Sequence, residues 1–304
     1  MIVARTRAEL AAARAQLPDP VGAVFTMGGL HDGHTALLRA ARRECASVVG
    51  TLFVNPIQFE IEQDAATYPG DEAADLRRFE AEGADVVFVP PAHEIYGPEF
   101  ATQVCVPTLS GVLEGASRPG HFDGVATVVV LLLNLTRPER TYLGQKDWQQ
   151  TRVIRQVVQD LALGVAVRVV GTVRSDDGLA LGTRNVRLSV EGREAARAIH
   201  RALAAGAGAW RRGERGADRL ERTMRRKLEA EPGVTVDYAV ARNPFTLEEL
   251  SPQAGAAVLL VAAWVDGVRL IDNFVLGDGL VDIDPAPLLA DAAAETGSGP
   301  PTPA

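Results

Sequence analysis

Two imidazoles three residues apart, His31 and His34 in Thr26-Met27-Gly28-Gly29-Leu30-His31-Asp32-Gly33-His34, are the groups of this chain best arranged for chemistry on an anion. The preceding residues 21–25 form an apolar run that reads as a buried strand, and residues 35–41 have the composition of a helix. Positions i and i+3 share a helical face, so both rings can point from the first turn toward one ligand. Unpaired N–H groups and the helix dipole favour an anion there, the glycines let backbone come close, and imidazole adds donors for phosphate oxygens. The alternative is a glycine turn with two surface histidines. Against it, two of only five histidines in the chain fall in this one turn, directly after the apolar run.

The elements that must position these rings follow from the pattern of the first half. Strand-like runs at 21–25, 47–54, 85–89, 141–143 and 165–173 alternate with helical patterns at 35–41, 75–82, 125–135 and 147–161. Such alternation predicts βαβ units around a parallel sheet, a Rossmann-like, doubly wound α/β domain. In open sheets of this kind the ligand lies beyond the carboxyl ends of the strands. The residues found there are polar. Asn55 and Gln58 offer two amides, suited either to an oxyanion or to a turn. Gly144-Gln145-Lys146-Asp147 offers close backbone approach, a cation for phosphate and a carboxylate for ribose hydroxyls, Asp147 being equally suited to capping the next helix. Gln150 lies one turn further on. Residues 174–185 carry Thr183 and Arg184, fit either for outer phosphates or for a hinge salt bridge. In the glycine- and proline-rich loop 114–122, Arg118 and His121 can close a site for an acid.

Composition limits the classes available. The chain has 304 residues, a net charge of −8 and 47% hydrophobic residues, ordinary for one large or two medium domains with a sizeable core. The longest apolar run, 125–135, is too short to cross a bilayer, and Arg5, Arg7 and Glu9 stand where a signal peptide would be apolar. Cys45 and Cys105 are isolated, so a reducing cytoplasm is expected. The acidic balance argues against a nucleic-acid surface, and the arginines of 211–227 alternate with acids as on a solvated helix. After Arg174 the texture changes. Helices interrupted near Gly206 and Gly213, then strands at 234–241 and 257–273 with an Asp266-Gly267 hairpin turn, predict a smaller α+β domain. Expected boundaries are 1–173, 174–281 and a disordered tail at 282–304.

Taken in order, residues 26–34, Phe53-Val54-Asn55-Pro56-Ile57-Gln58-Phe59, Tyr68-Pro69, residues 118–125, Gly144-Gln145-Lys146-Asp147 with Gln150, residues 178–185 and Arg269-Leu270-Ile271-Asp272-Asn273 resemble the pantothenate synthetase (pantoate–β-alanine ligase) family. That family lies in the nucleotidyltransferase superfamily marked by His-x-Gly-His, and the resemblance runs from near Met1 to about Gly277. It implies that ATP and pantoate give pantoyl adenylate and pyrophosphate, and that the amine of β-alanine then displaces AMP. His31, His34, Lys146, Thr183 and Arg184 would be catalytic. The ATP site would comprise residues 27–34 (Met27, Gly28, Gly29, Leu30, His31, Asp32, Gly33 and His34), 144–147, Val173, and 181–184, thus including Leu181 and Gly182. Asn55, Gln58, Tyr68, Arg118, His121 and Gln150 would hold pantoate or β-alanine. Mg²⁺ would be carried mainly by the nucleotide, without a protein metal cage, the Gly178–Arg184 loop would belong to a closing domain, and the enzyme would be a homodimer.

The sequence departs from the family pattern at three places. Phe25 replaces a proline before Thr-Met-Gly, Leu181-Gly182-Thr183-Arg184 replaces Met-Ser-Ser-Arg, and Gly70 replaces a basic residue after Tyr-Pro. These motivate two further readings, a ligase or adenylyltransferase for a related hydroxy acid and a nucleotide-binding module without turnover.

Overall fold

The computed structural model describes residues 1–58 and 68–290; Phe59 and the last fourteen residues of the expected tail lie outside the described residues. Six strands, β1 (Ile2–Ala4), β2 (Val21–Thr26), β3 (Ser47–Leu52), β4 (Val86–Phe88), β5 (Arg140–Gly144) and β6 (Ala166–Val170), form one sheet in the order β1-β4-β3-β2-β5-β6. All neighbours are parallel. Counted from β2, the order reverses between β2 and β5, and a crevice opens there beyond the strand ends.

Helices cover both faces, as a parallel sheet requires. Helix α1 (Arg7–Arg14), α4 (His121–Thr136) and α5 (Trp148–Asp160) pack on one face through Leu10, Val125, Val129, Leu132 and Ile154. On the other, α2 (Asp32–Glu44) and α3 (Glu72–Ala81) contribute Ala36, Leu38, Ala41 and Phe79. β1 and α1 are not among the elements that the apolar pattern predicts. A signal for α1 is present: Thr6 Oγ1 accepts from Glu9 N at 3.2 Å while the Glu9 carboxylate accepts from Thr6 N, a capping box.

A second sheet is antiparallel, β7 (Val234–Arg242), β8 (Ala257–Val265) and β9 (Val268–Leu276). The Asp266-Gly267 turn has φ of +51° and +71° as its residues demand. Helices α6 (Val190–Arg211) and α7 (Ala217–Glu229) bury Ile199, Leu203, Leu220 and Met224 against it. The expected interruption at Gly206 does not occur. A Cβ there would stand 2.8 Å from Leu259 Cδ1 and 3.0 Å from Met224 Cγ, so the glycine serves packing inside a continuous helix. The two sheets are joined by an apolar contact: Trp148, 1% exposed, packs with Val169, Val258 and Leu260 and donates from Nε1 to the Pro244 carbonyl at 3.0 Å.

The segment 282–290, expected to be disordered, is instead docked. Ile283 bridges Val170, Asp282 accepts from Val169 N at 2.7 Å and pairs with Arg155, and Leu288 is buried beside α2. Its few apolar side chains meet an open sheet edge, a partner that composition cannot display.

Candidate active site

β2 delivers the chain to the crevice, where Gly28 (φ +94°) and Gly29 (φ +65°) reverse it. A Cβ on Gly29 would lie 2.3 Å from Thr183 Cγ2 and 2.5 Å from the Pro69 carbonyl oxygen, so only glycine fits. The amides of this turn are not offered to a ligand. Asp75 of α3, 5% exposed, accepts from Gly29 N through Oδ2 and from Leu30 N through Oδ1, both at 2.8 Å. An internal carboxylate thus occupies the anion site that glycine-turn logic assigns to phosphate.

The two histidines remain, and their tautomers follow from their partners. His31 is the N-cap of α2; its Nδ1 accepts from Gly33 N at 3.1 Å. His34 Nδ1 accepts from His31 N at 3.2 Å. An imidazole that accepts at Nδ1 carries its proton on Nε2 when neutral. Burial is the largest influence on both. It pushes His31 down to about 4, helped by Lys146 and Arg78, and His34 well below the ordinary value, helped by His31. The rings lie 4.2 Å apart. The result is a pair of neutral rings, each with an N–H donor at Nε2. A Cβ on Gly33 would stand 2.8 Å from His31 Cε1, so that glycine lets His31 fold back over the turn.

A cleft of about 1110 Å³ is lined by both histidines together with Met27, Asn55, Gln58, Tyr68, Arg118, His121, Gly144, Lys146, Asp147, Gln150, Val173 and 181–184. That is at or above the roughly 300–1,000 Å³ usual for one small ligand, and fits a nucleotide with a second molecule. Five residues expected in the nucleotide site do not line it: Gly28, Gly29, Leu30, Asp32 and Gln145. The reasons are specific. The turn amides of Gly29 and Leu30 belong to Asp75, Asp32 pairs with Arg78 at 3.2 Å, and Gln145 donates to Asn273.

Lys146 projects from a short 3₁₀ turn, Gln145–Asp147, that separates β5 from α5. Asp147 stands at the N-cap position of α5 but makes no side-chain capping bond; its half-exposed carboxylate lies 3.9 Å from Lys146 Nζ. Opposite, Gly182 is extended; a Cβ there would come 3.3 Å from Lys146 Cε and 3.5 Å from Nζ. The loop Leu181–Arg184 and the lysine therefore converge. Thr183 Oγ1 donates to the Gly29 carbonyl at 3.3 Å, and the Arg184 guanidinium stacks over Tyr68 at 5.7 Å. The Val173 carbonyl accepts from Leu181 N, joining the foot of this loop to the strand end.

The other end of the cleft is built differently. Asn55, 1% exposed, gives its amide to Gln58 Oε1 and the Gly124 carbonyl and accepts from Tyr96 Oη, so it serves the turn. Gln58 Nε2 is donated to Met27 Sδ. His121 Nδ1 bonds the Gln58 carbonyl at 3.0 Å and Nε2 meets Arg118 Nη1 at 3.2 Å. Since a carbonyl only accepts and a guanidinium only donates, the proton sits on Nδ1. Burial, with the Arg118 charge, pushes His121 down to about 4. Glu114, buried in the same loop, accepts from both Arg269 Nη atoms at 2.6 and 2.7 Å and from Tyr238 Oη at 2.7 Å. Nothing in a local pattern marks Asp75, or tells that Arg269 and Asn273, quoted above in the resemblance, bond Glu114 and the Gln145-Lys146 turn, because these partners lie tens of residues away.

Residues 2–275 match the sequence profile of the pantoate-beta-alanine ligase family. The chain is 50% identical over 281 residues to pantothenate synthetase of Chloroflexus aurantiacus, covering 92% of this chain and 100% of that one. It is 49% identical over 258 residues to the Paracoccus denitrificans enzyme of the same name, covering 84% of this chain and 90% of that one. Among solved structures, pantothenate synthetase of Thermus thermophilus superimposes with TM-score 0.86 at 44% identity, covering 90% of this chain and 99% of that one. Pantoate-beta-alanine ligase of Francisella tularensis, solved with beta-gamma ATP and beta-alanine, superimposes with TM-score 0.74 at 32% identity, covering 90% and 97%. With a profile spanning almost the whole chain and a fold that follows it, this protein belongs to the pantoate–β-alanine ligase family.

Proposed function

We propose that the chain condenses pantoate with β-alanine to pantothenate, with ATP cleaved to AMP and pyrophosphate through a pantoyl adenylate. The observation that carries the reading is the pair of Nε2–H donors of His31 and His34, set in one cleft with Lys146 and the Thr183-Arg184 loop, in a member of this ligase family. In the first step a pantoate carboxylate oxygen attacks the α-phosphorus, the bond to the bridging oxygen breaks, and pyrophosphate leaves. Negative charge gathers on phosphate oxygens, so fixed donors and cations supply most of the acceleration. His34 and His31 donate from neutral rings, while Lys146 and Arg184, with the Thr183 hydroxyl, hold the outer phosphates. Asp147 takes the ribose hydroxyls. In the second step the free amine of β-alanine attacks the acyl carbon and AMP leaves.

Gln58, Gln150 and Tyr68 would orient the acid, and Arg118, held by His121, would meet a carboxylate. Mg²⁺ bound through ATP would neutralise phosphate charge. Among the described residues no group of three or more His, Cys, Asp or Glu is placed to hold a metal ion. The division at 173/174 belongs to the same proposal: Arg174 pairs with Asp272 of β9, and the loop beyond it closes on the adenylate to keep water out. A homodimer in the cytoplasm completes it; no helix among the described residues is long and apolar enough to cross a membrane. The test is AMP release by purified protein. Dependence on ATP, pantoate and β-alanine together supports the reading, and failure to form any pantoyl adenylate overturns it.

A further inference from the structure

The turn that presents Lys146 is held from outside its own sheet. Asn273 of β9, 1% exposed, donates both N–H groups of its amide, one to the Gln145 carbonyl at 2.9 Å and one to the Lys146 carbonyl at 2.8 Å. Its Oδ1 accepts from Gln145 Nε2 at 3.1 Å, so the whole side chain is spent on this turn. The preceding Asp272 is also buried. It accepts from both Nη atoms of Arg174 at 2.6 and 2.9 Å and from Asn273 N at 2.8 Å. Arg174 begins the stretch that ends in Gly182-Thr183-Arg184. Two adjacent residues of one antiparallel strand thus hold the roots of both arms that converge where Lys146 meets Gly182.

We propose that Asn273 is a positioning residue for adenylate formation: it sets the backbone of Lys146, and through it the ammonium, against the Leu181–Arg184 loop. The proposal rests on the role given to Lys146 above. A general adhesive role for β9 would not need both donors of one buried amide to end on consecutive carbonyls of the lysine's own turn. Removing the amide leaves two carbonyls short of a partner and lets the turn shift. Displacement of a charge-stabilising group by about 1 Å can lower a rate up to about 100-fold.

The experiment separates the two half-reactions in single turnovers of full-length Asn273→Ala: adenylate formation from ATP and pantoate, and aminolysis of supplied pantoyl adenylate by β-alanine. Adenylate formation is expected to fall about 10- to 100-fold while aminolysis stays within about threefold of the parent. In a Lys146→Ala background the same substitution should remove less than about threefold more, since both changes act through one group. If Asn273→Ala does not fold, Asn273→Ser is carried through the same measurements. Equal loss in both half-reactions, unchanged adenylate formation, or a full second loss in the Lys146→Ala background would each overturn the assignment. An unmodified protein that makes no pantoyl adenylate would overturn the proposed function instead, which keeps the two failures distinct.

Discussion

On the β2–α2 side of the cleft a backbone N–H closes each histidine Nδ1 and leaves the ring proton on Nε2, whereas on the Gln58 side His121 has both nitrogens engaged by protein. All three rings are held neutral by burial, so charge does not distinguish them. Hydrogen bonding does. A histidine with one satisfied nitrogen can act on a ligand, and one with two satisfied nitrogens serves as scaffold for a neighbour, here Arg118. Residue type is a poor guide to role compared with the number of donors and acceptors left over.

Substitutions can break that contrast. The largest effect is expected from His34→Ala, which removes a preorganised donor and should lower adenylate formation by about 10²–10³ in rate. A loss smaller than about tenfold in single-turnover kinetics would place His34 with His121 among the scaffolding rings. Next comes Asp75→Ala. It leaves the partly buried Gly29 and Leu30 amides without their acceptor and should lower stability by about 1–3 kcal/mol, read by denaturant titration. If stability is unchanged but ATP binds more tightly, the turn amides belong to the nucleotide and not to the fold.

His121→Ala should raise KM for pantoate about tenfold with a smaller change in kcat, because it loosens Arg118 without touching phosphate. A kcat loss as large as that of His34→Ala would dissolve the distinction. The smallest expected effect is shared by both sides. Folded values near 4 for His31 and His121 lie below the ordinary histidine value of about 6.5, so the unfolded chain binds more protons between those limits. Stability is then complete above about pH 6.5 and falls as the pH drops toward about 4. Urea midpoints across that range would show the slope, and His121→Ala should remove only part of it.

Much of the fold is legible in the chain. The apolar runs mark five of the six parallel strands, the Asp266-Gly267 dipeptide marks the hairpin, and the strand-end rule leads to Asn55, Gln58, Lys146 and Thr183-Arg184. What fails does so for nameable reasons. Gly206 reads as a helix breaker because its intrinsic propensity is poor, and the packing of Leu259 and Met224 outweighs that. Residues 282–290 lack the apolar content to form a core, yet they complete one already built. Asn55 suits ligand and turn equally by type, and its three protein partners assign it to the turn.

By itself the sequence determined the parallel sheet, the place of His31-x-x-His34 at a strand-to-helix turn and the set of polar groups at the strand ends, because periodicity and glycine punctuation are local properties of a chain. Only the tertiary structure decided which of those groups are spent. Asp75 takes the turn amides, Asn273 takes the carbonyls of the Lys146 turn, and His121 gives both nitrogens away. Hydrogen bonds join residues that are 45, 128 and 63 positions apart, and a buried group's partners are set by where the chain returns in space.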